Sequence, residues 1–63
     1  MKLFFVYNPM SGRGQIRNKL FDIINVFSEA GYEITVHPTR APKDATEAVA
    51  ELPDIYDLIG IHR

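Results

Sequence analysis

The 63-residue sequence contains no cysteine, and neither acidic nor basic residues predominate. Without cysteine, no disulfide bond and no zinc site with thiolate ligands can stabilise the chain. The formal net charge of -1 argues against a general binder of nucleic acids or other polyanions. No apolar run approaches the roughly 20 residues that span a bilayer, and no small-residue cleavage site follows the N-terminal run. We therefore expect a cytoplasmic protein with at most one small domain.

The segment that organises the chain is residues 8–14, which read Asn-Pro-Met-Ser-Gly-Arg-Gly. It follows an apolar run at residues 3–7, typical of a strand buried on both faces, and precedes a helical pattern that opens near Gln15. This order favours an anion site, because turn amides and the helix dipole both attract negative charge. Glycine permits close approach to a phosphate, Ser11 can cap the helix or donate its hydroxyl, and Arg13 adds a cation. The alternative is an ordinary strand-to-helix turn.

Two helical patterns follow this segment. The first predicts a helix at about residues 14–30, ended by Gly31 in left-handed conformation. Its apolar face consists of Ile16, Leu20, Ile23, Ile24 and Phe27. The second pattern begins at Asp44, where Asp44 and Glu47 have the spacing of a capping box, and it ends before Pro53. The aromatic core candidates are Phe4, Phe5, Phe21 and Phe27.

Two further strands complete the pattern. Residues 32–37 alternate between apolar and polar, which predicts a strand with one wetter face or a strand near the sheet edge. Residues 57–61 predict a third strand. The sum is β-α-β-α-β, an α/β unit of three layers with parallel strands and right-handed crossovers. Such a unit is the start of a Rossmann-like nucleotide-binding domain.

The predicted unit looks incomplete, because a three-stranded parallel sheet leaves two open edges and parallel sheets are normally covered. We expect residues 1–63 to be a single partial domain, the N-terminal part of a larger protein. Alone, it would pair edges or swap elements with a second copy, as a homo-oligomer.

Other sites are less well supported. The sequence lacks Gly-Lys-Ser/Thr, which excludes a Walker loop, and Arg17 stands where the dinucleotide fingerprint has its third glycine. His37 and His62 have no partners at metal-ligand spacing, so we predict no metal site and no catalytic residue in this chain.

The residues Tyr7-Asn8-Pro9-Met10-Ser11-Gly12 resemble the N-terminal signature of the diacylglycerol kinase catalytic domain family, which is related to sphingosine and NAD kinases. The resemblance continues at residues 14–20, 29–33, Thr39, Pro42, 44–45 and 56–59. It implies an enzyme that transfers the γ-phosphate of ATP to a lipid hydroxyl, such as that of diacylglycerol, with Mg²⁺ as cofactor. It also implies that residues 1–63 are the N-terminal part of an ATP-binding α/β domain, which a β-rich lipid-binding domain accompanies in the intact enzyme. Such an enzyme would act peripherally at the membrane surface, and we expect no nucleic acid as partner.

The family's nucleotide contacts carry over to six residues: Asn8, Pro9, Met10, Ser11, Gly12 and Thr39. Arg13 and Gly14 are further candidate phosphate contacts. Lys43 departs from the family's usual glycine, and Gly60-Ile61-His62-Arg63 departs from the apolar run that leads to the family's Gly-Gly-Asp-Gly-Thr loop. That loop and the later catalytic and metal-binding acids are not in this sequence, so we expect the chain alone to be inactive. An NAD-kinase-like enzyme and a non-catalytic, self-associating α/β fragment are the alternatives.

Overall fold

A computed structural model describes residues 1–62 of the chain. Three strands, β1 (Lys2–Tyr7), β2 (Glu33–Pro38) and β3 (Leu58–His62), alternate with two helices, α1 (Ile16–Glu29) and α2 (Asp44–Ala50). A 3₁₀ turn, Ser11–Gly14, lies between β1 and α1. The predicted β-α-β-α-β order is confirmed, including the third strand that the departure at Gly60 had put in doubt.

The three strands form one parallel sheet in the order β2-β1-β3. β1 is the central strand, with Phe5 opposite Val36 on one side and opposite Gly60 on the other. The chain therefore leaves β1 toward one edge through α1 and returns past it to the other edge through α2. Because both crossovers are right-handed in parallel sheets, the two helices cover opposite faces.

The core is centred on β1. Leu3, Phe4, Phe5, Val6 and Ile16 are the buried apolar side chains of the described residues. Side chains alternate along a strand, so Phe4 and Val6 face α2 while Leu3 and Phe5 face α1. Phe4 makes an edge contact with Tyr56, whose hydroxyl lies 3.2 Å from Thr35 Oγ1. Tyr56 therefore packs on the sheet.

Gly60 lies beside the ring of Phe5 in the middle of β3. A Cβ atom at this position would approach Phe5 Cδ1 to 2.9 Å, closer than real Cβ contacts allow. The glycine that interrupts the apolar pattern of residues 57–61 is therefore explained by close packing against the central strand.

The predicted apolar face of α1 is confirmed, because its five residues are buried or half-buried. Phe21 was wrongly predicted as a core residue: its side chain is 76% exposed, and Val26 is exposed as well. Both lie outside the apolar face that the helical period defines, so they do not point at the sheet. Gly31 ends the helix with φ +94°, as predicted, and Ala30 N donates to Val26 O.

The predicted caps are wrong in both helices. The N-cap residues are Met10 before the 3₁₀ turn, Gln15 before α1 and Lys43 before α2, and none makes a side-chain cap bond. Ser11 is therefore not the cap of α1, and Asp44 is the first residue of α2. Asp44 turns its carboxylate back toward β2 and the preceding loop instead of toward Glu47.

Candidate functional site

A cleft of about 710 Å³ opens at the carboxyl ends of the three strands. Its residues come from β1 and the segment that follows, from the loop between β2 and α2, from the first turn of α2, and from the end of β3. They are Val6, Asn8, Met10, Thr39, Arg40, Ala41, Pro42, Ala45, Thr46, Ile61 and His62. In a sheet with the order β2-β1-β3 the switch point lies between β1 and β3, which is where open α/β sheets bind ligands.

The segment after β1 folds around Asn8. Its side-chain Oδ1 accepts a hydrogen bond of 2.9 Å from Met10 N, and its carbonyl accepts one of 3.0 Å from Ser11 N. The amide of Asn8 donates to His62 O at 3.1 Å, and Gln15 N donates to Gly12 O at 3.2 Å. These four amides are not open to a ligand, so the expectation of a cradle of bare amides is wrong for them.

The next residues have an unusual backbone. Gly12 (φ 55°, ψ 37°) and Arg13 (φ 61°, ψ 34°) are both left-handed, and Gly14 has φ 82°. Arg13 is the only described residue other than glycine with positive φ. Glycine adopts this conformation without steric cost, which explains two of the three positions and leaves Arg13 strained.

The structure divides the eight predicted nucleotide contacts into two groups. Asn8, Met10 and Thr39 line the cleft together, although Thr39 lies far from the other two in the sequence. The other five are not among its lining residues: Pro9, Ser11, Gly12, Arg13 and Gly14. These five belong to the turn that leads from the cleft into α1.

Thr39 is held firmly at the end of β2. Its amide donates to Tyr7 O at 2.8 Å, and its hydroxyl donates to the same oxygen at 3.2 Å. Because the hydroxyl hydrogen is engaged by Tyr7, the hydroxyl oxygen can only accept a hydrogen bond from a ligand.

The formal charge of the cleft comes from Arg40, which sequence reasoning did not select. His62 also lines the cleft and was likewise not selected as a ligand contact. No aspartate or glutamate is among the lining residues, so the cleft favours anions. The first turn of α1 also lacks acidic residues. The balanced overall charge of the sequence did not predict this local excess of positive charge. The excess depends on which residues the ends of the strands bring together.

Asp44 fixes the loop between β2 and α2, which forms one wall of the cleft. Its Oδ2 accepts a 2.8 Å hydrogen bond from Arg40 N, and its Oδ1 lies 3.1 Å from His37 Nε2. The hydrogen bond with His37, followed by that from Arg40 N, holds the pKa of Asp44 below its usual value. Asp44 is therefore ionised near neutral pH, and both carboxylate oxygens are engaged.

Within residues 1–62, no three His, Asp or Glu side chains are grouped so that they could hold a metal ion. The residues described here therefore do not fit a Mg²⁺ site, and no reaction step through Mg²⁺ is assigned to them. Neither helix in this part of the chain has the length and apolar character needed to cross a membrane.

These features define a parallel α/β unit with an electropositive cleft at its switch point. Comparison with protein families matches residues 2–62 to the diacylglycerol kinase catalytic domain. The chain belongs to this family, and the expected resemblance is confirmed.

Curated relatives agree with this assignment. The chain is 41% identical over 46 residues to a diacylglycerol kinase of Bacillus subtilis (strain 168), a match covering 73% of the chain and 15% of that relative. It is 36% identical over 55 residues to a diacylglycerol kinase of Staphylococcus aureus (strain bovine RF122 / ET3-1), covering 86% of the chain and 18% of that relative. A diacylglycerol kinase of Staphylococcus haemolyticus (strain JCSC1435) is 38% identical over 55 residues. The chain thus spans less than a fifth of the length of these relatives.

Proposed function

We propose that this chain is the N-terminal, nucleotide-binding part of an ATP-dependent lipid kinase that phosphorylates a lipid hydroxyl such as that of diacylglycerol. The observation that carries the proposal is the cleft at the switch point of the sheet, where Asn8, Met10 and Thr39 meet under a local excess of positive charge. Its volume of about 710 Å³ lies in the range of small-ligand sites.

Different residues of the chain suit different parts of the ATP molecule. Thr39, whose hydroxyl oxygen can only accept, suits an N–H or O–H donor of the adenosine part. The turn at residues 11–14 and the N-terminus of α1 suit the phosphates, since the helix dipole favours negative charge there and no acidic side chain opposes it. The acceptor lipid, the Mg²⁺ ligands and the base that phosphoryl transfer requires are assigned to other parts of the parent enzyme.

The names of the relatives favour this function over an NAD-kinase-like one. Both enzymes would bind ATP in the same place and differ in the acceptor hydroxyl. Supplying the parent enzyme with diacylglycerol or with NAD in turn, together with labelled ATP, decides between them. We expect label in the lipid fraction only; label in NADP would overturn the lipid assignment.

Binding can be tested on the chain itself by calorimetric titration with ATP. Thr39→Val removes the hydroxyl while keeping the shape, and we expect it to weaken ATP binding by about fivefold to tenfold. Thr39→Ser keeps the hydroxyl and should bind nearly as the wild type does. Ser28→Ala, an exposed hydroxyl on α1, is the matched control. Equal affinities for all four proteins would show that Thr39 does not contact the nucleotide.

Catalysis is expected to be absent from the 63 residues alone, because no base and no metal ligands are assigned to them. The measurement is phosphatidic acid formation from diacylglycerol and labelled ATP by a clean preparation of the chain. Product above the level of a buffer control would contradict this expectation.

A further inference from the structure

We propose that Arg40 is the residue of the cleft that contacts the phosphate groups of the ligand, and that Asp44 is the residue that positions it. This inference rests on the proposed function and assigns to Arg40 the phosphate contact that sequence reasoning had given to Arg13. The contact is assigned to the phosphates beyond the first, which ATP and tripolyphosphate carry and AMP lacks.

The first argument is the placement of the two arginines. Arg40 lines the cleft, whereas Arg13 is not among its lining residues and lies in the left-handed turn beyond it. The guanidinium of Arg40 makes no ion pair within 4 Å with a carboxylate of residues 1–62. A planar guanidinium in this state can engage phosphate oxygens with two parallel hydrogen bonds.

The second argument is how the backbone of Arg40 is fixed. On one side, Thr39 binds Tyr7 O through its amide and its hydroxyl. On the other side, Asp44 Oδ2 accepts from Arg40 N at 2.8 Å, and Asp44 N donates to Ala41 O at 3.1 Å. The backbone of Arg40 is thus held between the end of β1 and the start of α2, so it has little conformational freedom left to lose on binding.

The third argument concerns the competing partner. A carboxylate next to an arginine would normally draw the guanidinium away from a ligand. Here one oxygen of Asp44 is taken by the Arg40 amide and the other by His37 Nε2 at 3.1 Å. Asp44 therefore holds the main chain of Arg40 and leaves its side chain to the cleft.

The test titrates the purified chain with ATP, AMP and tripolyphosphate, the last being a probe for phosphate recognition without a nucleoside. For Arg40→Gln we expect about tenfold weaker binding of ATP and tripolyphosphate, with AMP binding changed by less than about threefold. Arg40→Lys should recover part of the loss. Lys2→Gln removes a cation at the amino end of β1, the end opposite the cleft, and as the matched control it should leave all three affinities unchanged.

The role of Asp44 has its own pair of variants. Asp44→Ala removes both hydrogen bonds and should weaken ATP binding about as much as Arg40→Gln does. Asp44→Asn keeps an acceptor for Arg40 N and should bind nearly as the wild type does. Adding Arg40→Gln to Asp44→Ala should cause little further loss, because the two residues act on the same contact. A purely structural role of Asp44 would instead give additive losses and would weaken AMP binding equally.

The outcomes separate this inference from the proposed function. If ATP binds to the wild type and Arg40→Gln binds it equally well, Arg40 is not the phosphate contact while the nucleotide proposal stands. If tripolyphosphate binds through Arg40 and ATP binds no better than tripolyphosphate, the phosphate contact stands and the nucleotide assignment fails. If neither probe binds to the folded wild type, both are overturned.

Discussion

At the scale of single residues, Asp44 shows what sequence spacing could not reveal. Its distance from Glu47 predicted a capping box, but the side chain binds His37 and the Arg40 amide. His37 lies at the end of β2, so its contact with Asp44 exists only after the loop between β2 and α2 has folded back. The spacing of a capping box predicts a hydrogen bond within α2, but Asp44 instead bonds to His37 of β2 and to the amide of Arg40.

The lowered pKa of Asp44 gives a prediction about acid stability. A carboxyl whose pKa is lower in the folded than in the unfolded state stabilises the fold above its unfolded pKa of about 3.9. This stabilisation is lost as the pH falls through the lower, folded value. The free energy of unfolding of Asp44→Asn, measured by urea denaturation, should therefore lie below that of the wild type at pH 7 and converge with it as the pH falls below the folded pKa of Asp44. Asp22→Asn on α1 controls for the loss of one negative charge, and a pH-independent difference for Asp44→Asn would contradict the prediction.

Gly60 carries a second prediction at this scale. In Gly60→Ala the new methyl group meets Phe5 Cδ1 at 2.9 Å, and the Phe5 ring is only 8% exposed and cannot move aside freely. We expect the substitution to lower the free energy of unfolding by about 1–3 kcal/mol, the usual cost of overpacking. Urea denaturation measures the change. Gly60→Ala combined with Phe5→Leu should recover part of it, whereas an undiminished loss in the double variant would show that the contact with Phe5 is not the cause.

At the scale of elements, the sequence predicted most of the fold. The period of α1 was correct at all five positions of its apolar face, because a long helix packed on a sheet must show that period. Of the two interpretations of residues 32–37, a strand with one wetter face or a strand near the sheet edge, the strand order agrees with the second, since β2 lies at an edge. Pro38 is tolerated as its last residue because an edge strand needs fewer N–H donors. The error at Phe21 arose because it was selected as an aromatic residue, although the helical period places it outside the apolar face.

The helix α1 gives a prediction that separates these two kinds of apolar residue. Ile16→Ala removes a side chain that is 2% exposed, and it should cost about 2–5 kcal/mol in the free energy of unfolding. Phe21→Ala removes a larger side chain that is 76% exposed, and it should cost less than about 0.5 kcal/mol. Thermal or urea unfolding of both variants measures the difference. A loss for Phe21→Ala as large as that for Ile16→Ala would mean that another surface covers Phe21 in solution.

At the scale of the whole molecule, the chain extends 30 × 27 × 10 Å along its principal axes. The shortest dimension matches the width of three strands spaced about 4.8 Å apart. Both edge strands, β2 and β3, lack a further strand among the described residues, and three apolar side chains of β3 are between 40 and 50% exposed: Leu58, Ile59 and Ile61. Sequence reasoning predicted the open edges, because a β-α-β-α-β chain has too few strands to bury its own sheet.

These edges predict self-association of the chain in solution. An unpaired apolar edge is a template for another strand, so sedimentation should show dimers or larger species that increase with concentration. Ile59→Lys places a charge on the open edge and should shift the chain toward monomer. Ser28→Lys adds the same charge to α1, away from the edge, and should not. A wild-type chain that stays monomeric at high concentration would contradict the prediction.

Part of the candidate site could not be predicted from sequence at all. Thr39 was selected only through resemblance to a family, and Arg40 and His62 were not selected, because nothing in their neighbours along the chain marks them. They join Asn8 through the parallel register of the sheet, which brings three strand ends to one side. Site residues that depend on such a meeting become visible only when the strand order is known.

The hydrogen bond from Asn8 N to His62 O has a consequence for the order of folding. The donor lies near the beginning of the chain and its acceptor is the last described residue, so this contact has nearly the greatest sequence separation that the chain allows. Contacts of this kind form late, since the entropy of closing a long loop must be overcome first. During synthesis on a ribosome, the segment around Asn8 emerges early. Its hydrogen bond to His62 can form only after residue 62 has also emerged.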